Sequence, residues 1–222
     1  GIASSSSAFA ALALAASASA GLQLDESALS VLARRGSGSA SRSVPPGFVV
    51  WHAADKDAGS FSESIAEASH WVLVDCIAIV SEEHKAVGSS EGHGLANTSP
   101  LQIARVAGAA DRLDRCKGAL LAKDFASFAE IVELDCHLMH AVMMTSRPAL
   151  HYWQPASLAV MDAVRAWRTE GASVCYTLDA GPNVHVLTLS SEADETAEKL
   201  SQIAGVLRVL RATPGGAARL IS

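Results

Sequence analysis

The sequence predicts an α+β fold, and three observations carry that expectation. Helical and β-type segments alternate irregularly and include an apparent hairpin, which disfavours the regular βαβ alternation of a doubly wound parallel sheet. Half of the 222 residues are apolar yet only 5% are aromatic, so the core must be built from closely packed small side chains. No internal repeat occurs at any fixed period. The length suits one large domain or two small ones.

The elements follow in order. Ala8 to Ala20 reads as a buried Ala-rich helix preceded by Ser4-Ser5-Ser6-Ser7. It resembles the apolar core of a signal peptide, but no Lys or Arg precedes Arg34, and Ser17 and Ser19 interrupt it. Neither a leader nor a membrane span is therefore expected. One serine caps a helix; four in a row exceed that need and, with the helix dipole, suggest an anion site. Asp25 to Arg35 reads as a second helix, with Asp25 as cap, Glu26 in the first turn and Arg34-Arg35 at its C-terminal end. Gly36 to Ser43 is a small-residue loop carrying Arg42. Pro45-Pro46-Gly47 breaks the chain before the strand Phe48 to Trp51.

A polar stretch from His52 to His70 holds a short helix at Ser62 to Ala68 and a domain boundary, giving domains of residues 1–65 and 66–222. Trp71 to Val80 is a buried strand. Ser89 to Gly94 is a polar turn segment. Ser99 to Lys123 forms a long helix with Pro100 at its first position. Helices follow at Asp124 to Met144 and Leu158 to Glu170, the latter stopping at Gly171. Ser173 to Leu178 and Val184 to Leu189 are paired strands flanking Asp179-Ala180-Gly181-Pro182-Asn183. A helix from Ala193 to Gly205, a strand from Val206 to Ala212 and the tail Pro214-Gly215-Gly216 complete the chain.

Charge and cysteines narrow the function. A net charge of −6 and a pI near 5.7 exclude a general electrostatic grip on nucleic acid, so an anionic ligand needs a local cluster of donors. Cys76, Cys116, Cys136 and Cys175 include no CxxC pair, which argues against zinc and redox sites and for buried free thiols in a reducing compartment. Three Gly/Ser-rich segments then stand out: Gly1 to Ser7, Gly36 to Ser43 and Asp179 to Asn183. The first offers backbone and hydroxyl donors but lacks the Gly-Lys-Ser/Thr of a P-loop. The second adds the forked guanidinium of Arg42, suited to phosphate or carboxylate. The third holds an acid on a tight turn. Together they suggest a phosphorylated substrate.

These segments carry a resemblance. Gly1-Ile2-Ala3-Ser4-Ser5-Ser6-Ser7-Ala8-Phe9-Ala10-Ala11-Leu12 is similar to the second motif of GHMP small-molecule kinases, in the version found in diphosphomevalonate decarboxylases. Arg34 to Ser43 resembles that family's ARxGSGSACRS, with Ser41 in place of Cys, and Pro46 to Trp51 its GGFVxW. Lys85, Ser89-Ser90, Gly92 and Thr98-Ser99-Pro100 resemble its K…SS..G…TSP segment, with His93 where Met is common. His140-Ala141 and Tyr176 to Asn183 match its HA and YTxDAGPN motifs.

The resemblance implies a ribosomal-S5-like N-terminal domain, a ferredoxin-like C-terminal domain and an active site between them. It implies an ATP- and Mg²⁺-dependent enzyme that phosphorylates the 3-hydroxyl of mevalonate 5-diphosphate, then loses phosphate and CO₂ to give isopentenyl diphosphate. Asp179 would orient the 3-hydroxyl and accept its proton, and Arg42 would hold the substrate carboxylate or phosphate. Ser4, Ser5 and Ser7 would contact ATP phosphates, with Ser5 also at the metal. Ser90 and Ala180 would lie against the substrate. A cytoplasmic enzyme of isoprenoid synthesis is implied, with a homodimer among the assemblies the family uses. The family also has a segment before the ATP loop that supplies substrate and base contacts, and the resemblance implies that such a segment completes the site. A phosphomevalonate decarboxylase, a mevalonate 3-kinase and a non-enzymatic binding module on the same scaffold remain as alternatives.

Overall fold

The computed structural model describes residues 4–82 and 89–221. The chain divides into two compact units: residues up to Val72 together with those from Thr213 onward, and Leu73–Ala212.

In the first unit, α1 (Ser4–Ser19) and α2 (Glu26–Gly36) lead through a 3₁₀ turn at Gly38–Ser43 to a two-stranded antiparallel sheet of β1 (Phe48–Trp51) and β2 (Ser62–Ala66). Helix α2 is capped as its sequence predicts, the Asp25 carboxylate accepting from Ala28 N at 2.7 Å. Its C-terminal Arg34 and Arg35 both meet Asp57, whose carboxyl they hold below the usual range.

The expected burial of α1 is corrected by the structure. Among the described side chains of α1 only the stripe Ser6, Ala10, Ala13 and Ser17 is buried, while Leu12 is 60% exposed. This stripe of small residues lets α1 approach closely, and Ala10 and Ala13 pack with Leu29, Ala33, Ala40 and Val44. Gly36 shows how close: a Cβ there would stand 2.1 Å from the Phe9 ring. The expected helix at Ser62 to Ala68 is strand β2 instead. Its Glu and Ala favour a helix, but pairing with the apolar β1 and the bond from Ser62 N to Ser30 Oγ at 3.0 Å override that preference.

The second unit runs β3 (Leu73–Ile79), α3 (Ser89–Ala96), α4 (Gln102–Ala107), α5 (Ala109–Ala122), α6 (Phe125–Met144), α7 (Pro155–Thr169), β4 (Val174–Thr177), β5 (Val184–Leu189), α8 (Ala193–Ser201) and β6 (Arg208–Ala212). Its sheet has the order β4-β5-β3-β6, antiparallel throughout. Alternation sends Val74, Cys76 and Ala78 of β3, Val184 and Val186 of β5 and Val174 and Tyr176 of β4 into one core. There they meet Val160, Met161 and Val164 of α7 and Ala193, Ala197 and Leu200 of α8. The predicted mixture of helices and antiparallel strands is what forms.

Two further expectations differ. Ser89 to Gly94 is helical, forming α3 instead of a turn. The long helix expected from Ser99 to Lys123 is divided at Gly108, where the Arg112 side chain folds back and donates to Arg105 O at 2.8 Å. A Cβ at Gly108 would stand 2.8 Å from that guanidinium. All four cysteines are free; three are buried and Cys116 is half-buried. Among the described residues no helix is long and apolar enough to cross a membrane.

Candidate active site

The serine-rich end of α1 and the 3₁₀ turn come together. Ser6 points inward and hydrogen-bonds with Ser39 Oγ, leaving Ser5 and Ser7 exposed. Ser4 starts the helix, but its side chain lies outside the described residues, as do Gly1 to Ala3 altogether. The first turn of α1 contains no acidic residue, so its N–H groups, with the exposed hydroxyls of Ser5 and Ser7 beside them, suit phosphate oxygens. Arg42 stands exposed at the end of the 3₁₀ turn, its guanidinium 5.7 Å from the centroid of the Trp51 ring. That ring is fixed in turn by Trp51 Nε1 donating to Ser60 Oγ at 3.0 Å.

In the other unit, Asp179 lies just past β4, on the turn into β5. The turn is pinned at both ends. Before it, Leu178 N donates to Cys136 Sγ at 3.3 Å, and Leu178 O bonds His140 Nε2 at 3.2 Å. After it, Ser157 Oγ donates to Pro182 O at 2.6 Å, while Asn183 Oδ1 accepts from Val80 N at 2.9 Å and Ser81 N at 3.1 Å. Asp179 itself is exposed. A carboxylate on a fixed turn, free to face a ligand, is the arrangement a general base needs.

Ala180 faces a cavity of about 160 Å³ that is also lined by Gly92, His93, Met139, Met143 and Tyr152. Helix α3 thus meets the acidic turn there, and a Cβ at Gly92 would stand 2.8 Å from the Tyr152 hydroxyl, so any larger residue must displace that ring. Ser90 lies in α3, but its side chain is outside the described residues, and Lys85 lies outside them entirely.

Burial governs the groups behind the turn. It lowers His140 to a pKa of about 4 and raises the Cys136 thiol to about 11. Burial, followed by the nearby Glu133, raises Tyr176 to about 12. Sequence reading singled out His140 only as part of a motif and missed Cys136 and Ser157. The one available signal was the i, i+4 spacing of Cys136 and His140, which places both on one face of α6.

A family profile described as Mevalonate 5-diphosphate decarboxylase C-terminal domain matches residues 75–212. The chain belongs to the mevalonate 5-diphosphate decarboxylase family. A second profile, Diphosphomevalonate decarboxylase-like N-terminal domain, matches residues 1–62. The diphosphomevalonate decarboxylase of Aspergillus fumigatus is 39% identical over 212 residues, covering 92% of this chain and 52% of that protein. The Homo sapiens diphosphomevalonate decarboxylase is 35% identical over 202 residues, covering 88% of this chain and 50% of its own. The chain thus spans about half the length of the curated relatives it matches.

Solved decarboxylase structures agree. Mevalonate diphosphate decarboxylase from Staphylococcus aureus superposes with a TM-score of 0.89 at 32% identity, over 97% of this chain and 66% of that one. A structure described as "MDDEF in complex with MVAPP, AMPPCP and Magnesium" gives 0.90 at 34% identity, over 98% of this chain and 67% of that one.

Proposed function

We propose that this chain carries the phosphate-binding helix and the general base of an enzyme that uses ATP and Mg²⁺ to convert mevalonate 5-diphosphate to isopentenyl diphosphate and CO₂. Residues 1–65 hold the nucleotide in this reading, and residues 66–222 supply the acid. The observation that carries it is the pinned, exposed Asp179 turn in a chain whose family is established. The neighbour described with MVAPP, AMPPCP and magnesium supports the same ligands.

The residues present fit a nucleotide. Exposed Ser5 and Ser7 with no acid beside them favour phosphate oxygens, with Ser4 joining them. Mg²⁺ would be held here by the nucleotide phosphates, with the exposed Ser5 hydroxyl as a protein ligand. Such an ion neutralises charge on the transferred phosphoryl group.

The chain's own residues do the rest. Asp179 accepts the proton of the substrate 3-hydroxyl, which makes that oxygen the nucleophile toward the γ-phosphoryl group. Arg42, braced on Trp51, binds the substrate carboxylate or phosphate through two parallel N–H groups, orienting it for loss of CO₂. Ala180 and Ser90 border the substrate. Assignment to a cytoplasmic lyase of isoprenoid synthesis, working as a homodimer, is supported by the family resemblance alone.

The test is a coupled assay of ADP and CO₂ release on the natural polypeptide, with mevalonate 5-diphosphate and mevalonate 5-phosphate offered separately. ATP-dependent CO₂ release from the diphosphate is expected. Preference for the monophosphate replaces the substrate, and ADP release without CO₂ identifies a 3-kinase.

A further inference from the structure

We propose that His140 is a positioning residue for Asp179, acting through the backbone of Leu178. The inference rests on the functional reading above and goes beyond it in naming what holds the base in place.

Strand β4 ends at Thr177, the last residue of its ladder with β5. Leu178 and Asp179 therefore have no ladder bonds in that pairing. Helix α6 takes over: Cys136 Sγ accepts from the N–H of Leu178 at 3.3 Å and donates weakly to its C=O at 3.8 Å, and His140, one turn on, makes the shorter bond to that C=O at 3.2 Å. Leu178 is fully buried, and the very next residue is the exposed acid. Any tilt of the Leu178–Asp179 peptide plane swings the carboxylate, because that plane contains the carbonyl His140 grips.

The histidine is itself held rigidly. It is 1% exposed. The Trp153 ring lies 5.0 Å from it in a tilted arrangement, and the Tyr152 ring meets it edge-on at 5.9 Å. Burial keeps the imidazole neutral at physiological pH. A carbonyl oxygen only accepts, so the neutral ring places its proton on Nε2 and donates it to Leu178 O. Among the described residues the ionisable groups acting on the ring are His137 from its own helix, which opposes its protonation, and Asp179 from the turn, which favours it; burial outweighs both.

A hydrogen bond of this kind contributes modestly to stability, but its position gives it leverage: displacing a reacting group by about 1 Å costs about 10² in rate. His140→Phe keeps an aromatic ring and removes the donor. It is expected to lower kcat about 10- to 100-fold, with KM for ATP within about twofold. His140→Gln carries an amide N–H that can stand near Nε2 and is expected to recover most of the rate.

The deciding measurement is a cycle with Asp179→Asn, read as single-turnover CO₂ release by the natural polypeptide, with Trp153 near-ultraviolet dichroism reporting the fold. If His140 acts through Asp179, His140→Phe costs less than about twofold once the carboxylate is gone. A purely structural role costs the same factor in both backgrounds, and that result overturns the inference, as does a His140→Phe rate within about twofold of wild type. Should His140→Phe not fold, Cys136→Ala removes the companion anchor and is run through the same cycle, with the same expected non-additivity. Absence of CO₂ release by the wild type overturns the functional reading and this inference together; the other negative results overturn the inference alone.

Discussion

Acidification should destabilise the second unit through His140, by an amount the burial of the ring sets. A histidine in the unfolded chain takes up a proton near pH 6.5, whereas in the fold burial delays protonation to about pH 4. The folded state therefore holds fewer protons than the unfolded state between these limits, and stability falls as pH falls through that window. The contribution is fully present above about 6.5 and stops changing below about 4. At 1.36 kcal/mol per pH unit, the gap bounds the loss at about 3 kcal/mol, a large share of the 5–15 kcal/mol typical of a domain. Urea denaturation of wild type and His140→Gln at pH 7 and at about pH 4.5 isolates this contribution, since the carboxylates that also lose stability in acid are common to both proteins. Wild type is expected to lose about 2–3 kcal/mol more than the variant. Equal losses would refute the reasoning and show that the imidazole is protonated in the fold.

Four other outcomes are expected. Asp179→Asn lowers turnover by about 10²–10⁴ while calorimetric ATP affinity stays near wild type; activity within about threefold removes Asp179 from the role of base. Arg42→Lys keeps the charge but loses the fork, and kcat/KM for the phosphorylated substrate falls about tenfold; an unchanged value makes Arg42 a structural residue. Glu133 accepts from both terminal nitrogens of Arg168 and from Tyr176 N, bracing edge strand β4. Glu133→Ala should cost about 2 kcal/mol in chemical denaturation, less than a fully buried pair because Arg168 keeps 32% of its side-chain exposure. Gly47 has φ +69°, and a Cβ there would stand 2.3 Å from Ala66 O. Gly47→Ala should therefore lower Tm, with at least about 1–3 kcal/mol lost from backbone strain.

Local signals made much of the fold legible. Asp25 and Asp124 announce α2 and α6 because capping is a short-range bond. The apolar run of β3, broken only by Asp75, and the turn residues between β4 and β5 speak equally plainly. What sequence reading lost was decided by a neighbouring strand or by the path of one side chain. Strand β2 exists because β1 lies beside it, and the break at Gly108 depends on a side chain four residues on. The same division holds at the candidate site. Asp179, Arg42 and the serines stand in chemically distinctive segments, whereas Cys136, His140 and Ser157 act through bonds to residues 25 to 42 positions away, which no local pattern encodes.

The return of residues after Thr213 to the first unit bears on the order in which the protein can fold. Ala218 N donates to Val44 O at 3.0 Å, and Gly47 N donates to Gly215 O at 2.9 Å. The unit built from α1, α2, β1 and β2 is thus stitched from two stretches of chain, whereas Leu73–Ala212 is continuous. At about 5–20 residues per second, the intervening stretch takes roughly 7–28 s to emerge from a ribosome. Throughout that interval Val44 and Gly47 lack these two backbone partners. The continuous unit is free to close its sheet as soon as β6 appears, so of the two units the one whose synthesis starts earlier gains its last strand-end contacts later. A nascent chain stalled when β6 has left the ribosome but Thr213 has not should accordingly show a protease-resistant second unit and a first unit still open to cleavage.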